Sequence, residues 1–391
     1  MRENPLGRPL RLLSVYPTFW PRQGGGQMVL AAIARGLSPQ IANTVLTRHL
    51  HGTARRQEYE YLSVERFWNP APAVWKDYAA GIRHVPFWKR YIVTGIDVLC
   101  SLKPLHRLMT ASDLVHLHFP LPLGLSTLMV RAIVKRPLVV TVHGNADVYE
   151  LPRALEPVTR AILTRADVIV SVGHDLADYL RRVMQVRNVT VIPNGVDTDE
   201  FHPAPGSRDT IALFSVSRLV PRKNVHLLIA AVERLVKEGA PLSLVIAGTG
   251  PEEARIRRLA EQSGGVVRFA GFVDEAGKRA LLAESDVFVQ LSTREGLSIA
   301  TLEALASGVP CLVSNLPGVR EPITPARTGW YVDDPENLES VVAALRAVVA
   351  DRPRLAAMKQ ACRAVAVERY SVRAMCEAYW NVFTDLVGAG A

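Results

Sequence analysis

Two glutamates stand eight residues apart in the run REGLSIATLEALASGVP: Glu295, just after the apolar stretch DVFVQLS (286–292), and Glu303 further on. Ser298 between them is a favoured N-cap type, which places Glu295 ahead of a helix and Glu303 within it. At about 1.5 Å per helical residue, eight steps span on the order of 12 Å. That separation suits two hydroxyl-bearing groups joined through a diphosphate. Each carboxylate can accept two hydroxyl hydrogen bonds, so one can hold a hexose and the other a ribose, with the helix N-terminus facing the phosphates between them.

A second group of residues offers positive charge. Arg218 ends the apolar run TIALFSVSRL (210–219), and Lys223 precedes a helical pattern that Asn224 is expected to cap. A guanidinium fork and an ammonium point charge at the mouth of a strand can grip a diphosphate leaving group from one side. Gly24, Gly25 and Gly26 separate the first apolar run from the first helical pattern. Without side chains they let backbone approach a phosphate, beside the free N–H groups of a helix start. Taken singly, the two signals also read as surface charge and a plain loop. The glycines do not spell GxGxxG, and no acidic residue clearly ends a second strand as an NAD ribose ligand does.

Histidines and acidic pairs complete the inventory. His143 ends the run PLVVTVH (137–143), a position open to a structural role or to one facing a reacting group. His116 and His118 in DLVHLHF share one strand face with metal-pair spacing, but no carboxylate or Cys partner is evident, so core or cleft histidines are the better reading. Asp197-Thr198-Asp199 spells the metal-binding pattern DxD, yet with Glu200 behind it Asp197 reads better as the start of a helix capping box. No required metal is expected. Cys100, Cys311, Cys362 and Cys376 are scattered, so neither a metal pair nor a disulfide framework is suggested.

Positioning these residues falls to an alternation of short apolar runs with amphipathic stretches, the signature of βα units and parallel sheets. Strands are expected at 10–17, 113–119, 137–143, 167–173 and near 190, and again at 210–219, 242–248, 266–272, 286–292 and 310–315. Between the two series, IPNGVDTDEFHPAPGSRD has the Pro, Gly and polar content of a hinge linker. The expected fold is therefore α/β, with two Rossmann-like domains facing a cleft: 1–195, 196–370, and a closing stretch 371–391. Ligands of open parallel sheets bind beyond the carboxyl ends of the strands, where the residues singled out above lie. Segment 51–112 alternates poorly and interleaves aromatic with basic residues, Trp68, Trp75, Lys76, Trp88 and Lys89 among them. It reads as an insertion, packed on its own domain or lying at a membrane interface.

The chain has 391 residues, 49 % hydrophobic and 21 % charged, which excludes wholesale disorder. No run of about 18 uncharged apolar residues occurs, and charge and proline interrupt the N-terminal stretch, so a cytoplasmic protein is expected. The net charge of +9 is uneven: residues 1–195 hold 24 basic against 13 acidic side chains, residues 196–391 hold 22 against 24. A basic first half fits an anionic partner, such as a phosphorylated or lipid-linked acceptor or an anionic membrane surface, or a solvated basic face without a partner.

Glu295-x7-Glu303, Arg218 with Lys223, the glycine loop, TVHG (141–144), IPNGVD (192–197) and AGTGP (247–251) together resemble the retaining glycosyltransferases of the GT-B fold, family GT4. The resemblance covers nearly the whole chain except 51–112. It implies that Glu295 holds hydroxyls of a donor sugar and Glu303 the ribose of a nucleotide diphosphate sugar. Arg218 and Lys223 then neutralise the diphosphate, with backbone N–H groups of Gly25, Leu297 and Ser298 and the neighbouring Gly26 and Gly296. Segment 270–273, containing Phe272, presents backbone to the base, and His143 faces the reacting sugar. Family members often carry Gly where this chain has Ser298. The resemblance further implies a metal-independent, retaining transfer to a sugar, phosphorylated or lipid-linked acceptor in polysaccharide or glycolipid assembly. It implies no cofactor beyond the donor substrate and no nucleic acid partner, with peripheral attachment to a membrane as a further expectation. It also implies that the terminal helix returns to the first domain. Two other readings are a nucleotide-sugar epimerase of the same fold and a non-catalytic module that binds sugar nucleotides or membranes.

Overall fold

A computed structural model describes residues 4–21, 24–69, 87–144, 153–203 and 209–389. The chain divides into two units, one of Met1–Ile192 with Met375–Ala391 and one of Pro193–Ala374.

The first unit is built on an eight-stranded sheet: β1 (Leu10–Val15), β2 (Ile41–Arg48), β3 (Arg56–Tyr59), β4 (Leu62–Phe67), β5 (Leu114–His118), β6 (Leu138–Val142), β7 (Val168–Ser171) and β8 (Val189–Val191). Their order is β3-β4-β2-β1-β5-β6-β7-β8, parallel throughout except for β3, which runs antiparallel to β4. The described helices are α1 (Gly25–Gly36), α2 (Phe87–Ala111), α3 (Gly124–Arg131), α4 (Glu156–Leu163) and α5 (His174–Arg182). Strands β5 and β6 are buried along their whole length, which explains their continuous apolar character: helices cover both faces of a parallel sheet.

Segment 51–112 departs from the expected insertion. Over its described residues it supplies β3 and β4, with β4 paired in parallel to β2, and then α2. Strand β4 (LSVERF) buries Leu62, Val64, Arg66 and Phe67 and so belongs to the sheet. Its charged members are paired, Arg66 Nη1 and Nη2 donating to the carbonyl oxygens of Ala54 and Trp20 and Glu65 meeting Arg56 and Arg107. Of the aromatic residues, Trp75 and Tyr78 lie outside the described residues.

The second unit holds six parallel strands: β9 (Ile211–Val216), β10 (Leu242–Ala247), β11 (Val267–Gly271), β12 (Val287–Gln290), β13 (Cys311–Ser314) and β14 (Gly329–Val332). The order β11-β10-β9-β12-β13-β14 reverses direction between β9 and β12. In the first sheet the order reverses between β1 and β5. Crevices for ligands open at such switch points, outside the carboxyl ends of the strands. Helices α6 (Val225–Lys237), α7 (Glu253–Gln262), α8 (Glu275–Ala283), α9 (Ile299–Ala306), α10 (Leu338–Ala350) and α11 (Leu355–Arg369) surround this sheet. One apolar core joins Leu213, Leu244 and Val289 of the sheet to Leu228 and Val232 of α6 and Val342 and Leu345 of α10. The terminal helix α12 (Val372–Gly388) buries Tyr379, Trp380 and Phe383, and Tyr379 reaches Thr141 of β6.

Candidate active site

The loops after β9 and β12 leave adjacent strands at the switch point of the second sheet, and the charged residues gather there. Lys223 lies in a short turn of 3-10 helix before α6, only 9 % exposed, and its Nζ bonds Glu295 Oε1. Glu295 is half-buried in the loop after β12, where Gln290 Nε2 also donates to it at 3.1 Å. Gln290, the last residue of β12, accepts from Ser298 Oγ at 2.7 Å and from Thr301 Oγ1 at 2.9 Å through its other amide atom. Strand end, loop and helix start are thereby tied into one polar network.

Ser298 is the N-cap of α9, with Oγ accepting from Thr301 N, as its residue type predicts. Its hydroxyl also holds Gln290, a bond that Gly at this position lacks. Leu297 is buried and its carbonyl oxygen accepts from Asn194 Nδ2. The Glu295–Gly296 turn is held from outside by Gly318, which has φ +78°. A Cβ on Gly318 falls 2.8 Å from the Glu295 carbonyl oxygen, so this close approach needs glycine.

Glu303 lies on α9, almost fully buried, and accepts from Lys278 Nζ of α8 at 2.7 Å. Lys278 also meets Glu275 and sits over the Phe201 ring. Burial raises the Glu303 carboxyl above its ordinary range against the opposing pull of Lys278. Burial works against the charge on Lys278, but Glu303 and Glu275 outweigh it and hold the ammonium above its usual value. Each of the two sequence-flagged glutamates thus has its own lysine. Lys278 carries no motif of its own in the sequence: it lies 25 residues from Glu303 and meets it only through a side-chain bond from α8 to α9. Gln290 was likewise silent, an amide at the end of an apolar run.

The other expected residues occupy strand ends as well. Arg218 follows β9 and is exposed, with no side chain paired to its guanidinium among the described residues. Phe272 follows β11 and is 74 % exposed. Asn224 stands at the start of α6, but its side chain makes no cap; Nδ2 instead donates to Leu291 O, joining the loops after β9 and β12. The helix expected to start at Asp197 and Glu200 does not form over the described residues: 198–200 make a turn in which Asp197 Oδ1 accepts from Asp199 N, and Glu200 pairs with Arg279. A short polar side chain can satisfy a turn as readily as a helix start, which is why the pattern misled.

In the first unit, Gly25 opens α1 exposed, while half-buried Gly26 lies under two rings: a Cβ there falls 2.5 Å from Tyr16 Oη and 3.2 Å from Phe119 Cζ. Phe119 in turn packs on His143, ring centroids 4.8 Å apart. The glycine loop after β1 and the histidine after β6 are thus brought to one cluster by Phe119, the residue after β5. His116 and His118 are fully buried, with His118 Nδ1 2.9 Å from His143 Nε2. Burial lowers the pKa of all three imidazoles, so they are neutral at pH 7. Among the described residues, no three His, Cys, Asp or Glu side chains gather as a metal site requires, and no helix is long and apolar enough to cross a membrane.

Two parallel-sheet units of this design, with a charged switch point in the second, define the GT-B class of glycosyltransferases. Solved structures of that class superpose over almost the whole chain. Sucrose-phosphate synthase from Thermosynechococcus elongatus matches with TM-score 0.82 and 19 % identity, covering 97 % of this chain and 100 % of its own. HepE from Anabaena in complex with UDP matches with TM-score 0.76 and 17 % identity, covering 96 % and 100 %. The profile of the glycosyl transferases group 1 family matches residues 197–365, and that of glycosyltransferase family 4 matches residues 23–200. A GDP-mannose-dependent alpha-(1-6)-phosphatidylinositol monomannoside mannosyltransferase from Mycobacterium tuberculosis is 30 % identical over 379 residues, covering 90 % of this chain and 92 % of that protein. The chain belongs to the group 1, family 4 glycosyltransferases.

Proposed function

We propose that this glycosyltransferase moves a hexose, with retention of anomeric configuration and without a metal, from a nucleotide diphosphate sugar to a lipid-linked or sugar acceptor. GDP-mannose and a phosphatidylinositol-type glycolipid are the first candidates, from the mycobacterial relative's name. The observation that carries the reading is the pair of lysine–glutamate contacts at the second switch point, Lys223 with Glu295 and Lys278 with Glu303.

The second unit takes the donor. A diphosphate drawn to Lys223 and Arg218 competes with Glu295 for the ammonium and leaves that carboxylate to accept sugar hydroxyls. Glu303 accepts the ribose hydroxyls, held in place by Lys278. In the transfer step the acceptor oxygen bonds to the anomeric carbon as the bond from that carbon to the phosphate oxygen breaks. The acceptor proton passes to the departing phosphate, and the nucleoside diphosphate leaves. Arg218 and Lys223 stabilise the charge that develops on it, the role a metal plays elsewhere. The first unit takes the acceptor, with His143 facing the reacting sugar.

Peripheral membrane attachment accords with two exposed apolar stripes on the first unit. Ile92 and Leu99 mark one face of α2, and Leu125 and Met129 lie on α3 with Ile133 just beyond its end; Lys103 and Lys135 are exposed as well. Flotation with anionic vesicles tests this, and salt-sensitive binding is the expected result.

The reaction is tested by incubating GDP-mannose with a phosphatidylinositol mannoside acceptor and assigning the product anomer by NMR, with and without a chelator. The α-linked product in undiminished yield is expected. Inverted product or chelator-abolished transfer contradicts the mechanism. Isomerised donor sugar formed without acceptor points to the epimerase.

A further inference from the structure

The carboxyl edge of the first sheet carries a chain of buried polar groups that the reaction scheme leaves unused. Tyr379 Oη of α12 lies 3.1 Å from Thr141 Oγ1, and Thr141 Oγ1 lies 2.8 Å from His116 Nε2. The His116 ring packs on His118 with centroids 4.0 Å apart. His118 Nδ1 then meets His143 Nε2 at 2.9 Å, the two ring planes within 13° of parallel. Tyr16 from the end of β1 and Phe119 close the cluster, their rings against His118 and His143 respectively. Phe119 holds φ +72°, a strained conformation for an aromatic residue that persists only where the surroundings fix it. His118 and Phe119 therefore end β5 in a rigid, over-determined arrangement.

The protons on this chain follow from what each nitrogen lacks. His118 Nε2 and His116 Nδ1 are buried and have no hydrogen-bond partner among the described residues. An N–H at either place would be an orphaned donor, whereas a bare ring nitrogen forgoes only an acceptor contact, the commoner shortfall in folded proteins. Each neutral ring therefore carries its proton on the other nitrogen. His116 Nε2–H donates to Thr141 Oγ1, and His118 Nδ1–H donates to His143 Nε2. Burial of the rings opposes a second proton on any of them.

We propose that His118 is a positioning residue: by donating to Nε2 it fixes the ring orientation of His143 and places the single proton of His143 on Nδ1, with His116, Thr141 and Tyr379 holding His118 in turn. Its consequence for catalysis rests on the reading of His143 as the group that faces the reacting sugar. On that reading, His118 presets the ring orientation and the tautomer with which His143 enters the reaction.

The test is the tautomer of His143, read from ring nitrogen shifts of the full-length protein labelled with 15N histidine, in wild type, His118→Asn and His118→Leu. Asparagine returns an amide donor near the place of Nδ1; leucine removes it. The wild type and His118→Asn are expected to hold His143 as the Nδ1–H form, and His118→Leu to give a mixture of tautomers. Transfer kcat is expected to fall ~10- to 100-fold in His118→Leu with donor KM within ~2-fold, and to recover most of the loss in His118→Asn. A wild-type His143 protonated on Nε2 overturns the proposal, a result that needs no variant to fold. An unchanged His143 tautomer in folded His118→Leu overturns it as well. A shifted tautomer with unchanged kcat upholds the His118 bond and instead removes His143 from the reacting sugar.

Discussion

The two sheets reverse strand order at equivalent switch points but furnish the strand ends there with different electrostatics. Beyond β9 and β12 the second unit sets ammonium against carboxylate, Lys223 on Glu295 and Lys278 on Glu303. Beyond β1, β5 and β6 the first unit sets neutral rings against one another, Tyr16, His118, Phe119 and His143. One edge brings buried ammonium groups and carboxylates together, the composition that the proposed diphosphate flanked by hydroxyls requires. The other gathers neutral groups, of which Tyr16 and His118 are buried and Phe119 and His143 half-buried.

This contrast breaks most readily at Lys223. Replacement by alanine is expected to cut turnover by at least ~10²-fold, since it removes a charge aimed at the departing phosphate. Glu295 keeps its bond from Gln290, so the fold is expected to survive, and steady-state kinetics alongside thermal melting separates the two effects. Wild-type turnover in Lys223→Ala contradicts the role.

Acid separates the units next. The folded chain holds His116 at about 3 and His118 well below 6.5, both by burial, so below pH 6.5 the unfolded chain binds protons that the folded chain refuses. Stability from this source is present above pH 6.5 and lost as the pH falls toward 3, by up to ~1.4 kcal/mol per pH unit for each histidine. Of six tryptophans only Trp330 belongs to the second unit, so tryptophan fluorescence follows the first. His116→Leu is expected to flatten the acid limb of denaturant midpoints read this way; an unaltered limb counts against the neutral buried ladder.

A smaller effect is expected from Gly318→Ala, which forces an L-residue into the left-handed region and crowds the Glu295 carbonyl. A loss of ~1–2 kcal/mol in stability is expected, together with weaker donor binding, because the Glu295–Gly296 turn must shift. Unchanged melting and donor KM contradict that placement of the turn.

What could be seen in the sequence divides along the same physical line. Glu295, Ser298 and Glu303 declared themselves because strand end, cap and helix are consecutive in the chain, so spacing alone carried their geometry. Most strand positions were legible as apolar runs. Strand β2 (IANTVLTR) was not, since Asn43 and Thr44 break its apolar run and Arg48 ends it; in the fold Asn43 is buried against Ser14 and Arg48 pairs with buried Asp97. Lys278 and Gln290 were invisible for the corresponding reason, as their partners come from other elements. The histidines of β5 showed their shared face and their burial, but not that His118 meets His143, a contact made by the parallel pairing of β5 with β6.

Whether the buried carboxylate of α9 holds the nucleotide end of the donor is decided by calorimetric titration of GDP and GDP-mannose into wild type and Glu303→Gln. An amide keeps the shape but loses a charged acceptor, and charge-assisted hydrogen bonds are worth about 1.5–3 kcal/mol. A loss of at least ~10-fold in affinity for both ligands is predicted, with the fold intact by thermal melting. Equal affinity of the two proteins for GDP contradicts the account.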